Sequence, residues 1–349
     1  MTRHTSHCPC CVEVGQDLSA LAPTRNTQDR RAFLRTMGST ALAVGLGASG
    51  LPMGQVHASE KKPAEDFVQL LYESLTAEQK QAICFPFDHP LRSEVGANWH
   101  IVDQQIGEFL NSDQQELVRQ ILRGITTEDG YERFEKQMKD DTGVGLGDYS
   151  CALFGEPGKR LQWVLSGRHS TLRADGNATA NAAFGGPIFY GHAVTFNEEP
   201  DHPGNVWWHQ ARAANKVFEA LDGKQREKAL LENGPPDSEE SVVLSGNVRK
   251  IPGLSGEEMS ADQLGLVEAT MKTLLDMFRK EDVDEVMQCL KKNGGLKQAH
   301  VSFYTEEDIG DDGIWDIWKV EGPAFVWYFR GSPHVHTWVN IKHRGPTLL

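Results

Sequence analysis

Three histidines carry the chemistry this chain offers. His334 and His336 stand one residue apart in Pro333-His334-Val335-His336-Thr337-Trp338. In an extended strand alternate side chains share a face, so the two imidazoles point the same way, with Trp338 beside them. His169, in Ser166-Gly167-Arg168-His169-Ser170, is the candidate third. Three imidazoles make a donor set for one first-row transition metal, and zinc, copper and iron all accept it. A His-x-His also occurs on ordinary surface strands, so the assignment requires a fold that brings His169 to the pair.

Other residues could serve such a centre. Arg168 is a salt-bridge partner or, across a local bulge, an anion clamp. Glu321, in the turn before the strand leading to His334, could act as a general base. His100, after Trp99, could be a fourth ligand or a substrate contact, and His192 in Tyr190-Gly191-His192 could line a pocket mouth. Competing chemistries have no foothold. There is no Gly-x-Ser-x-Gly elbow, no phosphate-binding Walker loop and no His-Glu-x-x-His. The glycines at 143, 145 and 147 precede a strand and not a helix, so a dinucleotide reading fails.

The chain has 349 residues, with 39% hydrophobic and 24% charged residues, a balance that suits a soluble globular protein. A formal net charge of −14 with no basic stripe argues against a nucleic-acid partner. The expected partner is a small-molecule substrate or ligand. Residues 1–58 read as a targeting segment. Arg30-Arg31-Ala32-Phe33-Leu34 fits the twin-arginine export pattern, a weak apolar run follows over 37–48, and Val56-His57-Ala58 offers a cleavage site. That run is too short for a stable membrane span. The expected location is periplasmic or secreted. Twin-arginine export carries proteins already folded, often with a cofactor loaded, which favours a metal. Of the six cysteines, Cys8, Cys10 and Cys11 would leave with the signal. Cys84, Cys151 and Cys289 remain, an odd number that implies no disulfide framework.

Residues 59–349 read as a single α+β domain. Four capping boxes mark helix starts, at Thr76/Gln79, Asn111/Gln114, Asp222/Gln225 and Ser260/Gln263: a side-chain oxygen takes an orphan N–H and the glutamine reaches back. They read as helix starts and not as a true sequence repeat, since the helices that follow differ. Helices are expected over 62–73, 76–84, 111–125, 127–140, 205–221, 222–231, 260–280 and 282–293. Strands are expected over 150–154, over 160–166 running on to 169–172, over 178–184, and over 299–304, 315–320, 324–329 and 335–341. Short strands at close spacing predict an antiparallel sheet or sandwich built from two β blocks and flanked by two helical blocks. Sharing one sheet is what would bring His169 to His334 and His336.

Taken together, Leu75-Thr-Ala-Glu-Gln79, Phe85-Pro-Phe-Asp88, Trp99-His100, Leu153-Phe-Gly-Glu-Pro157, Gly167-Arg-His169, Gly322-Pro323 and His334-Val-His-Thr337 resemble a bacterial exported family known as domain of unknown function 3500. The resemblance runs from about residue 64 to 343. The family pattern has Gly-His-His where this chain has Gly167-Arg168-His169, and Trp-Arg-Asp where it has Trp338-Val339-Asn340. The resemblance implies a single fold and a residue pattern, not an activity.

The expected function is an exported metal-dependent enzyme with a mononuclear three-histidine site. Zinc would make it a hydrolase, copper or iron an oxidoreductase. The alternatives are a metal-handling protein and a non-catalytic binding protein that holds a sugar or peptide on Trp163, Trp315, Trp318, Trp327 and Trp338.

Overall fold

One eleven-stranded sheet joins both β blocks, and the site lies around its centre, at the start of the strand Val335–Ile341 and at the turn between the strands Leu161–Gly167 and Ser170–Ala174. The computed structural model describes residues 63–175, 178–179, 182–192, 207, 209–308 and 313–342. These all belong to the compact unit Lys61–Leu349. The expected signal, its cleavage site and the Cys8, Cys10 and Cys11 cluster lie outside the described residues. Among the described residues no helix is long and apolar enough to cross a membrane.

The first half of the unit runs α1 (Ala64–Ser74), α2 (Ala77–Ile83), β1 (Cys84–Phe85), a long loop, α3 (Ile106–Phe109), α4 (Ser112–Ile125), α5 (Glu128–Thr142), β2 (Ser150–Gly155), β3 (Leu161–Gly167), β4 (Ser170–Ala174) and β5 (Ile188–His192). The second runs α6 (His209–Glu219), α7 (Gly223–Ala229), β6 (Leu230–Leu231), a long loop, β7 (Leu254–Ser255), α8 (Ala261–Thr273), α9 (Lys280–Lys292), β8 (His300–Tyr304), β9 (Ile317–Gly322), β10 (Phe325–Arg330) and β11 (Val335–Ile341). The spatial order is β1-β2-β3-β4-β5-β11-β10-β9-β8-β6, with β7 beside β8. Among the described residues, β1 on β2 and β6 on β8 are the pairs that run parallel.

This order is an internal twofold. In one half Cys84, Leu153, Trp163 and Ala174 stand side by side across four strands; in the other, Leu230, Phe303, Trp318 and Phe329 do. The capping boxes pair up accordingly. Gln79 and Gln114 exchange side-chain hydrogen bonds while reaching the carbonyls of Phe109 and Ser74. Gln225 and Gln263 do the same, reaching those of Glu258 and Ala220. The halves meet at Ile188 opposite Val339, and again where Thr127 N–H donates to Met277 and Arg279 N–H donates to Ile125. The boxes thus recur as a structural repeat without a sequence repeat behind them.

The two faces of the sheet are covered differently. Helices bury Leu153, Trp163, Leu165, Tyr190, Trp327, Val335 and Val339 in the main core. The opposite face, with Phe189, Tyr328 and Trp338, is covered by loop residues Val95 and Val242. One expected strand is misplaced: among its described residues, Ala183–Gly185 form a single 3-10 turn. The strand follows the Gly185-Gly186 bend, because Ile188, Phe189 and Tyr190 suit a pleated surface better than the alanines before them. Tyr190, Gly191 and His192 are therefore in the strand and not beyond it.

Candidate metal centre

The β5–β11 pairing places His336 opposite Gly191 and Val335 opposite His192. A side chain at residue 191 would put its Cβ 2.2 Å from the Val335 carbonyl and 3.0 Å from the His336 ring, so glycine is what admits the imidazole there. His169 sits in the turn between β3 and β4 with φ 53°, a left-handed conformation that non-glycine residues rarely take. Strong ties hold it there. Its N–H donates to the Ala97 carbonyl (2.7 Å), and its own carbonyl accepts from Gly191 N–H (3.1 Å) and Gln137 Nε2 (2.8 Å). Tyr149 Oη donates to the Arg168 carbonyl at 2.6 Å.

The result is a buried trihistidine cluster. His169, His334 and His336 are 0–2% exposed, and one nitrogen from each lies within 4.8 Å of the others. His169 Nε2 and His334 Nε2 are 3.1 Å apart. A tetrahedral ion with metal–nitrogen bonds of about 2.0–2.1 Å holds its nitrogens about 3.3 Å apart, so the cluster is close to ligating geometry.

Two carboxylates orient the rings. His169 Nδ1 donates to Asp141 Oδ2 at 2.8 Å, and His336 Nδ1 donates to Asp237 Oδ2 at 2.7 Å. Each bond leaves the Nε2 lone pair facing the centre, which is the usual support for a metal-bound imidazole. Asp237 also accepts from Trp338 Nε1 at 3.4 Å. Burial pushes His169 well below the ordinary imidazole range, and the charges of His336 and Arg168 add to it. Burial does the same to His334, with His336 and His169. Both rings therefore stay neutral and keep a lone pair for a cation at neutral pH. Burial alone would raise Asp237, but the charge and hydrogen bond of His336 bring it down to about 2.

The other expected site residues divide. Trp338 stands beside His336, sharing Asp237. Arg168 adjoins His169. His192 is buried on the helical face, its Nε2 donating to Asp140 Oδ2 at 3.0 Å, so it is not a pocket-mouth residue. His100 is exposed, and Trp99 Nε1 is spent on Thr171 Oγ1 at 2.8 Å; neither joins the cluster. Glu321 pairs in register with Val326, which pairs with Asn340. That puts it about 13 Å along the strand direction and two strands away from His336, in an ion pair with Lys319 at 2.7 Å. It is not the base for these histidines. Of the tryptophans expected to form a binding platform, Trp163, Trp318, Trp327 and Trp338 are at most 1% exposed and Trp315 is half-buried.

Asp141 and Asp237 are the residues that sequence reasoning missed. One signal was available. Asp140 and Asp141 fall in the last turn of α5, where the helix dipole disfavours acid, so something else must hold them. Asp237 lies in an irregular loop and has no such mark. Cys84, Cys151 and Cys289 are free thiols. Burial raises Cys84 to about 11 and Cys151 to about 12, so both are packing residues.

Residues 58–344 match the family model described as a protein of unknown function, DUF3500, and the chain belongs to that family. No curated protein and no solved structure matches it.

Proposed function

We propose that this protein is an exported metal-dependent enzyme whose three imidazoles hold one divalent transition ion and leave a coordination position for water or substrate. The observation that carries this is the trihistidine cluster with its two carboxylate-held Nδ1 groups. With the rings held this way, one cation could take a lone pair from each of the three imidazoles at once. Zinc in such a donor set brings a bound water's pKa near 7 and supplies a hydroxide nucleophile; hydrolysis of a small molecule is the reaction we assign. Copper or iron would supply oxidation instead. Full burial of all three ligands favours a second reading, a protein that stores or hands on the ion. Stripping the metal and reloading with zinc, copper(I) or iron(II) separates the two. Turnover of ester or amide panels with zinc supports the hydrolase; exchange within minutes without turnover supports metal handling. Export rests on the paired arginines. Changing Arg30 and Arg31 to Lys should leave the precursor in the cytoplasm, and normal secretion of that variant would show the signal misread.

A further inference from the structure

The trihistidine cluster has an unpaired cation beside it. Arg168 Nε is buried without a hydrogen-bond partner, and among the described residues its guanidinium makes no ion pair. The two buried arginines near the sheet centre, Arg330 and Arg173, are closed. Arg330, opposite His336 in register, binds Glu307 at 2.6 Å and the Ser332 carbonyl at 2.8 Å. Arg173 is taken up by the carbonyls of Pro187, Arg92 and Glu94. Arg168 is half-buried, and its guanidinium presents a planar fork of donors suited to carboxylate and phosphate, with the Nε donor left for a ligand.

Placement points the same way. Ser166 Oγ accepts from Ile101 N–H of the covering loop, so it lies on the loop-covered face. Alternation returns Arg168 to that face two residues on. The left-handed turn at His169 breaks the alternation and lets the neighbouring imidazole share it. The hairpin itself does not need either side chain. The internal twofold matches Gly167 and Ser170 with Gly322 and Phe325, which pair across their hairpins in the same way, and the intervening residues are Arg168-His169 in one half and Pro323-Ala324 in the other. The backbone bonds agree: Gly191 N–H donates to His169 and Lys342 N–H to Ala324.

We propose that Arg168 anchors the anionic group of the ligand bound at the trihistidine centre, so that this ligand is an oxyanion, either a carboxylate or a phosphoryl group. The inference rests on the metal reading above. One oxygen of the ligand would fill the metal's open position and another would accept hydrogen bonds from the guanidinium, which positions the ligand and does not itself react.

Cobalt(II) gives the test, since its visible absorption changes when the open position is filled. The cobalt-loaded protein would be titrated with inorganic phosphate and with acetate at constant ionic strength, and with neutral imidazole as control. Wild type should bind at least one of the two anions, and which one separates phosphoryl from carboxylate. Arg168→Gln should weaken that anion about tenfold or more, the loss expected for a charge-assisted bond, with cobalt uptake and imidazole binding unchanged. Arg168→Lys should recover part of the affinity. Equal anion affinity in wild type and Arg168→Gln, or a wild-type spectrum that neither anion moves, overturns the proposal and leaves the metal reading standing. Failure of wild type to take up cobalt overturns both.

Discussion

Replacing His336 by Ala tests whether the cluster is a metal site or a buried polar knot. In wild type, an ion at a hundred times its dissociation constant stabilises the folded state by about 2.7 kcal/mol. A domain of this size moves about 2 °C in Tm per kcal/mol, so saturating zinc should raise the melting temperature by about 5 °C. His336→Ala removes one of three ligands and takes the 2.7 Å partner from the Asp237 carboxylate, which among the described residues is left with the 3.4 Å bond from Trp338 Nε1. Losing a buried partner costs about 1–3 kcal/mol, so the metal-free variant should melt several degrees lower yet still fold, because its core is untouched. The decisive quantity is the difference between melts with zinc and with chelator, read by calorimetry: near zero for the variant, about 5 °C for wild type. A variant that keeps the full zinc-dependent shift would refute the argument, and His336 would then be a packed strand residue.

Three further outcomes follow. Trp338→Ala deletes a side chain that is 1% exposed and packed against Phe189 with ring centroids 4.3 Å apart; it should cost about 3–5 kcal/mol in urea denaturation while the folded fraction still binds metal, and loss of metal without loss of stability would contradict this. Asp141→Asn keeps the shape of the carboxylate that holds His169 Nδ1 but weakens its grip, and isothermal titration should show zinc affinity down about 10–100-fold; unchanged affinity would remove Asp141 from the site. The pH dependence has a definite sign. His169 and His334 have folded values lowered by burial, so the unfolded chain takes up protons below about 6.5 that the folded chain refuses. Their contribution is intact above that value and falls away below it, by up to about 1.4 kcal/mol per pH unit for each ring, and chelated protein as stable at pH 5.5 as at 7.5 would rule it out.

Local rules made much of the architecture legible. The four capping boxes located four helices, and alternation in 334–338 put two histidines and Trp338 on one face before any fold was known. The third ligand required the inference that both β blocks share a sheet, and the β5–β11 pairing is what realises it. What stayed hidden is tertiary. The strand expected at 178–184 formed later, because the Gly185-Gly186 bend and the aromatic run after it outweighed the alternating alanines. The internal twofold was invisible because the halves keep the same hydrogen bonds with different side chains, Arg168-His169 against Pro323-Ala324. Asp141 and Asp237 reach the histidines from a helix end and a loop, and no spacing rule connects residues so far apart in sequence. Glu321 was misassigned for the opposite reason: closeness along the chain to the His334 strand did not survive the register of β9, which carries it away.

The central claim is that His169, His334 and His336 bind one ion together. X-ray absorption at the metal edge, on protein purified after export and paired with elemental analysis, tests it most directly. The account predicts about one transition-metal ion per chain with three imidazole nitrogens at about 2.0–2.1 Å for zinc, lost in the His169→Ala, His334→Ala and His336→Ala variants alike. Protein that is metal-free as isolated and takes up no zinc, copper or iron on reconstitution would contradict it, as would an ion whose shell contains no imidazole.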